Sequence, residues 1–467
     1  MDSNKRKERM RRGVMALRHQ FAQGGNGVFA NVLPAEEVQS VVSGEAGCYR
    51  DRLYSPLTTL RLFVGQVLCE DRACQDVVGR HLSERVAAGG PQCGLNTGAY
   101  CQARQRLPRA IPERLCQRVG TRLEARLPRA WRWRGRSVKL FDGTTVSMPD
   151  TLENQRAFPQ SSEQKPGVGF PIARLGGLIG LASGAVLGHV LAPCEGKGSG
   201  EQSLLREVLP LIEKGDVLLA DALLATWWII IEVCQRGADV VMVQHGSRIT
   251  DFSQGRCLGK KDHVVEWPKP QRPAWMSVAD YRRYPPTLRM REVEVEGRVL
   301  VTTMLDPKVV TPQEIDALYG LRWNIEVDWR TIKVTMEMDV LRCRSPEMVR
   351  KEIAVHLLAY NLVRWTMATA AHLADVLPRT LSFTGTKRLL LAFVEQLRRC
   401  HGRRLVFMFA TVLGAIASLS IPDRPGRVEP RAKKRRPKPL PLLTMPRHLA
   451  REKIIADRAV RGLNVAP

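Results

Sequence analysis

The sequence predicts an α/β protein in which a sheet with parallel and antiparallel strands lies between helical regions. Between residues 137 and 245, apolar runs of strand length alternate with helical patterns in the order β-β-β-α-β-α-β. Helical patterns also precede residue 137 and return after residue 311. The chain has 467 residues, 44% of them hydrophobic, which allows roughly two to four domains and a large buried core.

Charge and cysteine content narrow the class of protein. The chain carries 72 Lys and Arg residues against 46 Asp and Glu, a net charge of +26, which favours a polyanionic partner such as nucleic acid. Its 11 cysteines include no C-x-x-C pair, which argues against a disulfide framework and a zinc ribbon. The histidines and cysteines never fall at zinc-ligand spacing. We therefore expect a reduced, cytoplasmic protein associated with the nucleoid.

Residues 1–135 are predicted to form a helical, basic region. Apolar residues recur at helical spacing between residues 51 and 130, with a Gly-rich break at 87–98. The stretch 104–136 holds eleven arginines against Glu113 and Glu124. These charges would neutralise DNA phosphates, and a solvated helix face is the alternative. No residue identifies a recognition helix.

The segment 136–245 is predicted to be the first part of the sheet. SVKLF, followed by DGTT, and the two apolar runs on either side of Ser183-Gly184 predict three strands. A helix is predicted over 200–214, where a glycine follows it as a C-cap, before the buried strand DVLLAD. A second helix over 225–236 then precedes the strand ADVVMVQ.

Residues 246–312 are predicted to be a β-rich insertion, because they are charged, Pro-rich and contain the alternating run REVEVEGRVLVTTML. Helices resume at Thr311, an N-cap residue followed by proline. Residues 313–375 are therefore expected to complete the core. Residues 376–467 are predicted to form C-terminal helices and a basic, Pro-rich tail centred on RAKKRRPKP.

No membrane association is expected. The apolar run 405–421 is interrupted by Thr411, Gly414 and Ser418, and it is predicted to be a buried core helix rather than a membrane span. The charged N-terminus, MDSNKRKERMRRG, is not followed by the apolar stretch of a signal peptide, so secretion is not expected.

Two aspartates end predicted strands. Asp142 shares a strand face with Val138 and Leu140, and Asp221 closes the buried run DVLLAD. Each has an ordinary alternative, because Asp142-Gly143 is typical of a hairpin turn and Asp221 is a good helix N-cap. A carboxylate delivered by a buried strand is costly unless a cation or a donor compensates its charge. Both are therefore candidate metal ligands.

A charged stripe marks the helix that is predicted after residue 313. Its members are Tyr319, Arg322, Glu326, Arg330 and Lys333. At roughly 100° per residue they share one face, within an arc of about 80°. Apolar residues fall on the adjoining face, so the helix also packs on a core. Ordinary surface helices carry similar Glu and Arg pairs, and that alternative stays open.

Asp142, Asp221 and Glu326 can form a three-carboxylate site. Three acids brought together repel and require divalent cations, and their oxygen ligands suit Mg²⁺ or Mn²⁺. Two such ions about 4 Å apart activate a water or a 3′-hydroxyl for in-line attack on a phosphodiester. The tyrosine and the basic residues of the stripe would then donate to phosphate oxygens.

The strings LFDGTTVSMPDTLENQRAFPQ, KPGVGFPIARLGGLIGLASGAVLGH and GDVLLAD, with the helix pattern Y-x2-R-x3-E-x6-K, resemble bacterial insertion-sequence transposases of the Asp-Asp-Glu class. The helix pattern is similar to that of the Tyr-Arg-Glu-Lys branch, insertion-sequence family four. The similarity runs from about residue 50 to 420. It implies an RNase H-like catalytic core that the β-rich insertion interrupts before the glutamate helix.

The resemblance also implies roles for individual residues. By this resemblance, the catalytic residues are Asp142, Asp221 and Glu326. The same three residues are the ligands of two Mg²⁺ ions, for which Mn²⁺ can substitute. The residues that grip the transposon end are Tyr319, Arg322 and Lys333, with Arg330 on the same face. One departure concerns the second aspartate, because Ala222 and two leucines stand where the family usually has a basic and then an aromatic residue.

The partners implied by the resemblance are double-stranded DNA, as terminal inverted repeats and target, and a second copy of the chain in a synaptic homodimer. Members of this branch cut and paste through a DNA hairpin, which requires a flipped base held by aromatic stacking. Trp267 and Trp275 are candidates for that stacking, and the core of a small sheet is the alternative. The competing functions are a metal-dependent nuclease or resolvase of the same fold, and a non-catalytic DNA-binding protein.

Overall fold

The structure, a computed structural model, describes residues 34–47, 49, 53–422 and 441–460. The charged N-terminal segment and the RAKKRRPKP centre of the predicted tail lie outside these residues. The N-terminal region is helical, as the apolar spacing predicted. Its helices are α1 (Ala35–Ala46), α2 (Pro56–Leu68), α3 (Cys74–Ala87), α4 (Gly98–Arg106) and α5 (Ala110–Arg126).

The predicted three strands of the core are present and pair in sequence order. They are β1 (Val138–Ser147), β2 (Ile172–Gly180) and β3 (Val186–Pro193), with the short helix α6 (Leu152–Ala157) between β1 and β2. Both pairings are antiparallel. Gly184 adopts a φ of +69° in the turn between β2 and β3, a conformation that glycine adopts at little cost.

Two parallel strands follow on the other side of β1. Helix α7 (Glu201–Val208) leads to β4 (Val217–Ala220), and α8 (Trp227–Cys234) leads to β5 (Asp239–Val243). Strand β4 pairs in parallel with both β1 and β5. The predicted mixture of parallel and antiparallel strands is therefore confirmed.

Both helices in this part are shorter than predicted. Helix α7 ends at Val208 instead of residue 214, and a 3₁₀ turn over Leu209–Leu211 contains Pro210. Proline lacks the N–H that would continue the α-helical ladder. Helix α8 begins at Trp227, after a 3₁₀ turn over Ala222–Leu224.

The predicted insertion extends the sheet of the core. Its elements are β6 (Arg256–Gly259), β7 (Asp262–Pro268), α9 (Val278–Arg283), β8 (Thr287–Val295) and β9 (Arg298–Thr302). Strand β9 pairs antiparallel with β5 through Val241 and Thr302. One nine-stranded sheet results, in the order β3-β2-β1-β4-β5-β9-β8-β7-β6.

The charged stripe lies on an irregular helical segment. Helix α10 (Pro312–Gly320) begins at Thr311, whose hydroxyl accepts from the N–H of Glu314 in a capping box. A 3₁₀ turn (Leu321–Trp323), helix α11 (Asn324–Arg330) and a π turn (Thr331–Thr335) follow without a break. The sequence correctly predicted the N-cap, but it predicted one regular helix instead of these three segments. Short π turns of this kind are frequent at functional sites.

Long helices complete the fold. They are α12 (Pro346–Ala374), α13 (Phe383–Arg399), α14 (Gly402–Ala417) and α15 (Arg447–Val460). Helix α12 is buried along most of its length and packs against α5 and α14. The apolar run after residue 405 forms most of α14, whose inner face is buried. Among the described helices, none combines the length and apolar composition needed to cross a bilayer.

The side chain of Asn361 joins three elements at the centre of this packing. Its amide donates to the carbonyl oxygens of Cys116 in α5 at 3.0 Å and Val186 in β3 at 2.8 Å. Its carbonyl oxygen accepts from the N–H of Val186 at 2.8 Å. Gly120 lies at the same contact, where a Cβ would come within 2.1 Å of the Val186 carbonyl oxygen.

We therefore expect Gly120→Ala to lower the free energy of unfolding by about 2 kcal/mol or more, because an added methyl group forces helix α5 away from β3 and α12. Gly79→Ala is the matched control, since a Cβ in this α3 position meets nothing within 4 Å. It should stabilise the chain by about 0.5–1 kcal/mol. Urea unfolding measures both, and equal stability of the two variants would contradict the described packing.

Candidate active site

Parallel pairing of β1 and β4 brings two of the predicted acids side by side. Leu140 and Leu219 are partners across the two strands, and Asp142 and Asp221 each lie two residues further along. Asp142 is not in a hairpin turn, because β1 continues to Ser147. Asp221 does cap the following turn, since its Oδ1 accepts from the N–H of Leu224 at 3.2 Å. The capping role occupies one of its two oxygens.

The environment of Asp142 opposes its ionisation. The pKa of Asp142 is raised to about 6, first by burial and then by the negative charges of Glu201 and Asp221. The N–H of Gly143, which donates to Asp142 Oδ1 at 2.9 Å, and the charge of Arg322 act in the opposite direction. The two strand aspartates therefore repel each other across a half-buried edge of the sheet.

Glu201 is an acid of this site that the sequence did not reveal. It is the first residue of α7, and a Cβ on Gly143 would lie 2.8 Å from its Oε1. Its side chain thus lies over the residue that follows Asp142. The pKa of Glu201 is raised by burial and then by the charge of Asp221. An acid in the first helical turn is common, so no local signal distinguished this one.

Arg322 links Glu326 to the two aspartates. The guanidinium of Arg322 donates to Glu326 Oε1 at 3.2 Å and hydrogen-bonds Tyr319. Burial lowers the pKa of Arg322, but the neighbouring Tyr319, Asp142 and Glu326 outweigh it and the net shift is upward. Arg322 therefore lies between the aspartate pair and the glutamate. Tyr319 is buried, which raises its pKa, and Asp221 is among its charged neighbours.

The glutamate helix is held over the sheet by close packing. Gly177 of β2 is the strand partner of Asp142. A Cβ at Gly177 would come within 2.5 Å of the Trp329 indole. The absence of a side chain there lets α11 lie against the sheet directly beside Asp142.

A buried charge network also fixes this helix. Asp328, which is fully buried, accepts from Arg364 at 2.6 Å, from Arg379 at 2.9 Å and from the hydroxyl of Tyr360 at 3.1 Å. Arg364 and Tyr360 belong to α12, so the network ties α11 to the central helix. Removing the carboxylate of Asp328 would leave the buried guanidinium of Arg364 without its ion-pair partner, at a cost of about 3–5 kcal/mol. The backbone two residues from Glu326 is thereby held in place.

The remaining residues of the stripe lie further from the acids. Lys333 donates to the hydroxyl of Thr144, two residues after Asp142 in β1, at 3.2 Å. Arg330 is exposed on α11. Because Lys333 lies on the π turn, the single regular face predicted for the stripe is not kept.

The two candidate tryptophans differ in accessibility. Trp267 is 2% exposed, and its indole N–H donates to Glu292 Oε1 at 2.7 Å. It belongs to the core of the extended sheet and offers no surface for base stacking, so this prediction is wrong for Trp267. Trp275 is 55% exposed, with the Arg206 guanidinium 4.3 Å from its ring centroid. A stacking role for Trp275 stays a prediction.

The arginine-rich segment is partly occupied by internal ion pairs. These pairs are Arg109 with Glu113, Arg114 with Glu45, Arg122 with Glu37, Arg134 with Glu314, and Arg136 with Asp239. The sequence suggested either a phosphate-binding surface or a solvated helix face. Several of these charges instead join the N-terminal helices to each other and to the sheet.

The acids of the site offer hard oxygen ligands of the kind that Mg²⁺ and Mn²⁺ prefer. Mutual repulsion of Asp142, Asp221 and Glu201 is the condition that a divalent cation relieves. Within the described residues, no three His, Cys, Asp or Glu side chains lie close enough together to hold a metal ion as they stand. Glu326 is engaged by Arg322 in this arrangement.

Comparison with known proteins shows the family to which this chain belongs. The family model of the transposase DDE domain matches residues 133–362. Transposase InsG of insertion sequence element IS4 from Escherichia coli (strain K12) is 29% identical over 356 residues, which cover 73% of this chain and 76% of that protein. The chain belongs to the DDE transposases of the IS4 family.

Two further matches are more limited. The putative transposase InsL of element IS186A, also from E. coli K12, is 29% identical over 86 residues, 18% of this chain and 23% of that protein. A piggyBac transposase, solved by cryo-electron microscopy as a synaptic complex with hairpin DNA, aligns with a TM-score of 0.43 at 8% identity over 88% of each chain. The part of the transposase that matches the DDE domain contains Asp142, Glu201, Asp221 and Glu326.

The raised pKa of Asp142 has a consequence for stability. The unfolded carboxyl titrates near pH 3.9, so between about pH 4 and 6 the folded transposase binds the proton more tightly, and stability falls as the pH rises. Asp142→Asn removes this loss. We expect its free energy of unfolding, without divalent cations, to exceed the wild-type value by about 1–3 kcal/mol above pH 6 and to match it below pH 4. Urea unfolding across this range measures the difference.

Glu207→Gln is the control for this experiment, because Glu207 is exposed on α7. It should follow the wild type at every pH. An Asp142→Asn variant with wild-type stability at pH 7 would show that the carboxylate is not held against its own ionisation.

Proposed function

We propose that this DNA transposase cuts the ends of its element and joins them to target DNA by metal-dependent phosphodiester hydrolysis and transesterification. The observation that carries the proposal is the register of β1 and β4, which sets Asp142 beside Asp221 within the DDE domain match. Strands β1 to β5, in the order β3-β2-β1-β4-β5 with only β2 antiparallel to the other four, support an RNase H-like core.

The proposed catalytic acids are Asp142, Asp221 and Glu326. Glu201 is a fourth carboxylate that would share the cations, because it lies over Gly143 and feels the charge of Asp221. Bound Mg²⁺ or Mn²⁺ would supply an activated water or 3′-hydroxyl and neutralise charge at the scissile phosphate. Glu326 would then exchange its bond with Arg322 for a place beside the aspartates.

The basic residues of the stripe would then act on phosphate oxygens. Arg322, released from Glu326, has a planar guanidinium suited to bidentate contact with a phosphate. Tyr319 positions that guanidinium through their hydrogen bond. Lys333, at Thr144 of β1, would contact the DNA strand beyond the scissile phosphate. The substrate would be double-stranded DNA carrying the terminal inverted repeats, held by a homodimer with the two ends paired.

Glu326→Gln tests this proposal, with DNA taken from the flanks of the reading frame as substrate. The substitution keeps the shape of the side chain and removes its charge. Because loss of an outer-shell partner alone costs about 10–100-fold in metal affinity or activity, we expect Mg²⁺-dependent cleavage and strand transfer to fall by about 100-fold or more. Equilibrium binding of the same DNA should change by less than about threefold.

Three outcomes, one with the variant and two with the wild type, would decide against the proposal. Undiminished cleavage by Glu326→Gln would remove Glu326 from the site. A wild-type chain that cuts DNA but never joins a pre-cut 3′-hydroxyl end to a second duplex would be a nuclease of the same fold. Binding without any cleavage would indicate a non-catalytic DNA-binding protein.

The fourth carboxylate has its own test. Mn²⁺ titration, followed by the loss of the free-ion paramagnetic resonance signal, reports metal affinity without DNA or turnover. We expect Glu201→Gln to weaken Mn²⁺ binding by about 10-fold, and Glu207→Gln on the same helix to leave it unchanged. Equal affinity of the two variants would show that Glu201 serves only as an acid in the first turn of α7.

A further inference from the structure

A cavity lined by arginines lies away from the proposed catalytic acids. A cavity of about 760 Å³ opens between the N-terminal helices and the segment that follows the π turn. Residues of α2, α3 and α4 form one wall, residues 342–345 and the start of α12 form the opposite wall, and α6 closes an edge. Neither Asp142 nor Asp221 is among its described lining residues.

The rim of this cavity carries positive charge without internal compensation. Arg156, Arg342 and Arg344 line it and are exposed. Within the described chain, the ion pairs of the structure include none formed by these three guanidiniums. The acids of the lining are Glu153 and Glu352, and Glu352 is buried and accepts from the backbone N–H groups of residues 342 and 343.

Two further arginines lie in the wall. Arg72 and Arg104 are 7% and 8% exposed, and the Nε of each has no hydrogen-bond partner in the described structure. Within the described residues, the other nitrogens of Arg104 donate to two thiols, at 3.2 Å to Cys74 and 3.1 Å to Cys343. Thiols are weak acceptors, and a buried cation without a strong anionic acceptor is costly. An anion in the cavity would relieve that cost.

The exposed arginines of the rim repel the buried arginines of the wall electrostatically. Burial, and then the charge of Arg342, lower the pKa of Arg72. The carboxylates of Glu337, Glu352 and Asp339 act against this shift, and Glu337 contacts Arg72 at 3.1 Å. Crowded guanidiniums with free N–H groups are suited to binding phosphate, because each presents several N–H donors in a planar fork.

Strand β1 connects this cavity to the proposed catalytic acids. Ser147 at its end bridges to Val340, two residues before Arg342. Five residues separate Asp142 from Ser147, a distance of about 17 Å along the strand. Duplex DNA covers that distance in about five base pairs. Lys333, at Thr144, lies between the two ends of this path.

We propose that this cavity binds backbone phosphates of the DNA substrate about five base pairs from the phosphate at the catalytic acids. Arg342 and Arg344 make the direct contacts at the rim, and Arg72 and Arg104 provide the buried positive field behind them. The register of five base pairs rests on the proposed function of Asp142. The binding of phosphates does not.

The test compares Arg342→Ala/Arg344→Ala with Arg403→Ala/Arg404→Ala, a control pair that is also exposed and removes the same charge from the start of α14. Affinity for a duplex of about 20 base pairs is measured against salt concentration. Each lost phosphate contact lowers the slope of log affinity against log salt by about 0.9. We expect the rim variant to lose a slope of about 2 and the control less than 1.

Phosphate ethylation interference places the contact. With DNA from the flanks of the reading frame, ethylation about five base pairs from the cut should weaken binding by the wild type and the control, and not by the rim variant. Thermal unfolding confirms that the variants fold. Equal salt slopes for the two variants would overturn the proposal, as would ethylation interference at this position that persists in the rim variant.

The catalytic proposal and the phosphate-site proposal can be refuted independently of each other. If Glu326→Gln still cleaves DNA while the rim variant loses its salt slope, the phosphate site stands and the assignment of the catalytic acids falls. If cleavage is lost in Glu326→Gln and the rim variant binds as the control does, the catalytic proposal stands without the phosphate site.

Discussion

The parallel pairing of β1 with β4 is the constraint on which the rest of the site depends. It sets Asp142 beside Asp221, just beyond the buried strand partners Leu140 and Leu219, so the two charges repel in a place where burial limits screening by water. Burial is the main cause of the raised pKa of Asp142, and the charges of Glu201 and Asp221 add to it. Such an arrangement stores unfavourable electrostatic energy in the free protein, and a divalent cation is the partner that would release it.

The helix that carries Glu326 is fixed by interactions that do not involve Glu326 itself. Trp329 fills the space that Gly177 leaves over the sheet, and Asp328 is bound by arginines from α12 and the segment after it. The backbone is therefore held in place, while the Glu326 side chain is partly exposed and, among the residues that the structure describes, is bound only to Arg322. A fixed helix with a movable carboxylate can exchange an internal ion pair for a metal without changing the fold.

The positive charge of the chain is divided between two uses. Arginines such as Arg122 and Arg136 bind acids of neighbouring elements and hold the N-terminal helices to the sheet. Arg156, Arg342 and Arg344, at the rim of the cavity beside α12, take part in none of the ion pairs among the described residues. Net charge alone cannot distinguish these uses, because the number of arginines is the same whether an acid from a distant part of the chain approaches them or not.

Local patterns in the sequence determined the strands of the core, the Thr311 cap and the positions of Asp142 and Asp221, because periodicity and capping act over a few residues. The catalytic assignment of those aspartates and of Glu326 stays a prediction. Only tertiary structure decided that the insertion extends the sheet, that Trp267 is buried and that Glu201 lies over Gly143. Strand partners and charged neighbours are separated by tens to hundreds of residues, and spacing along the chain carries no record of such contacts.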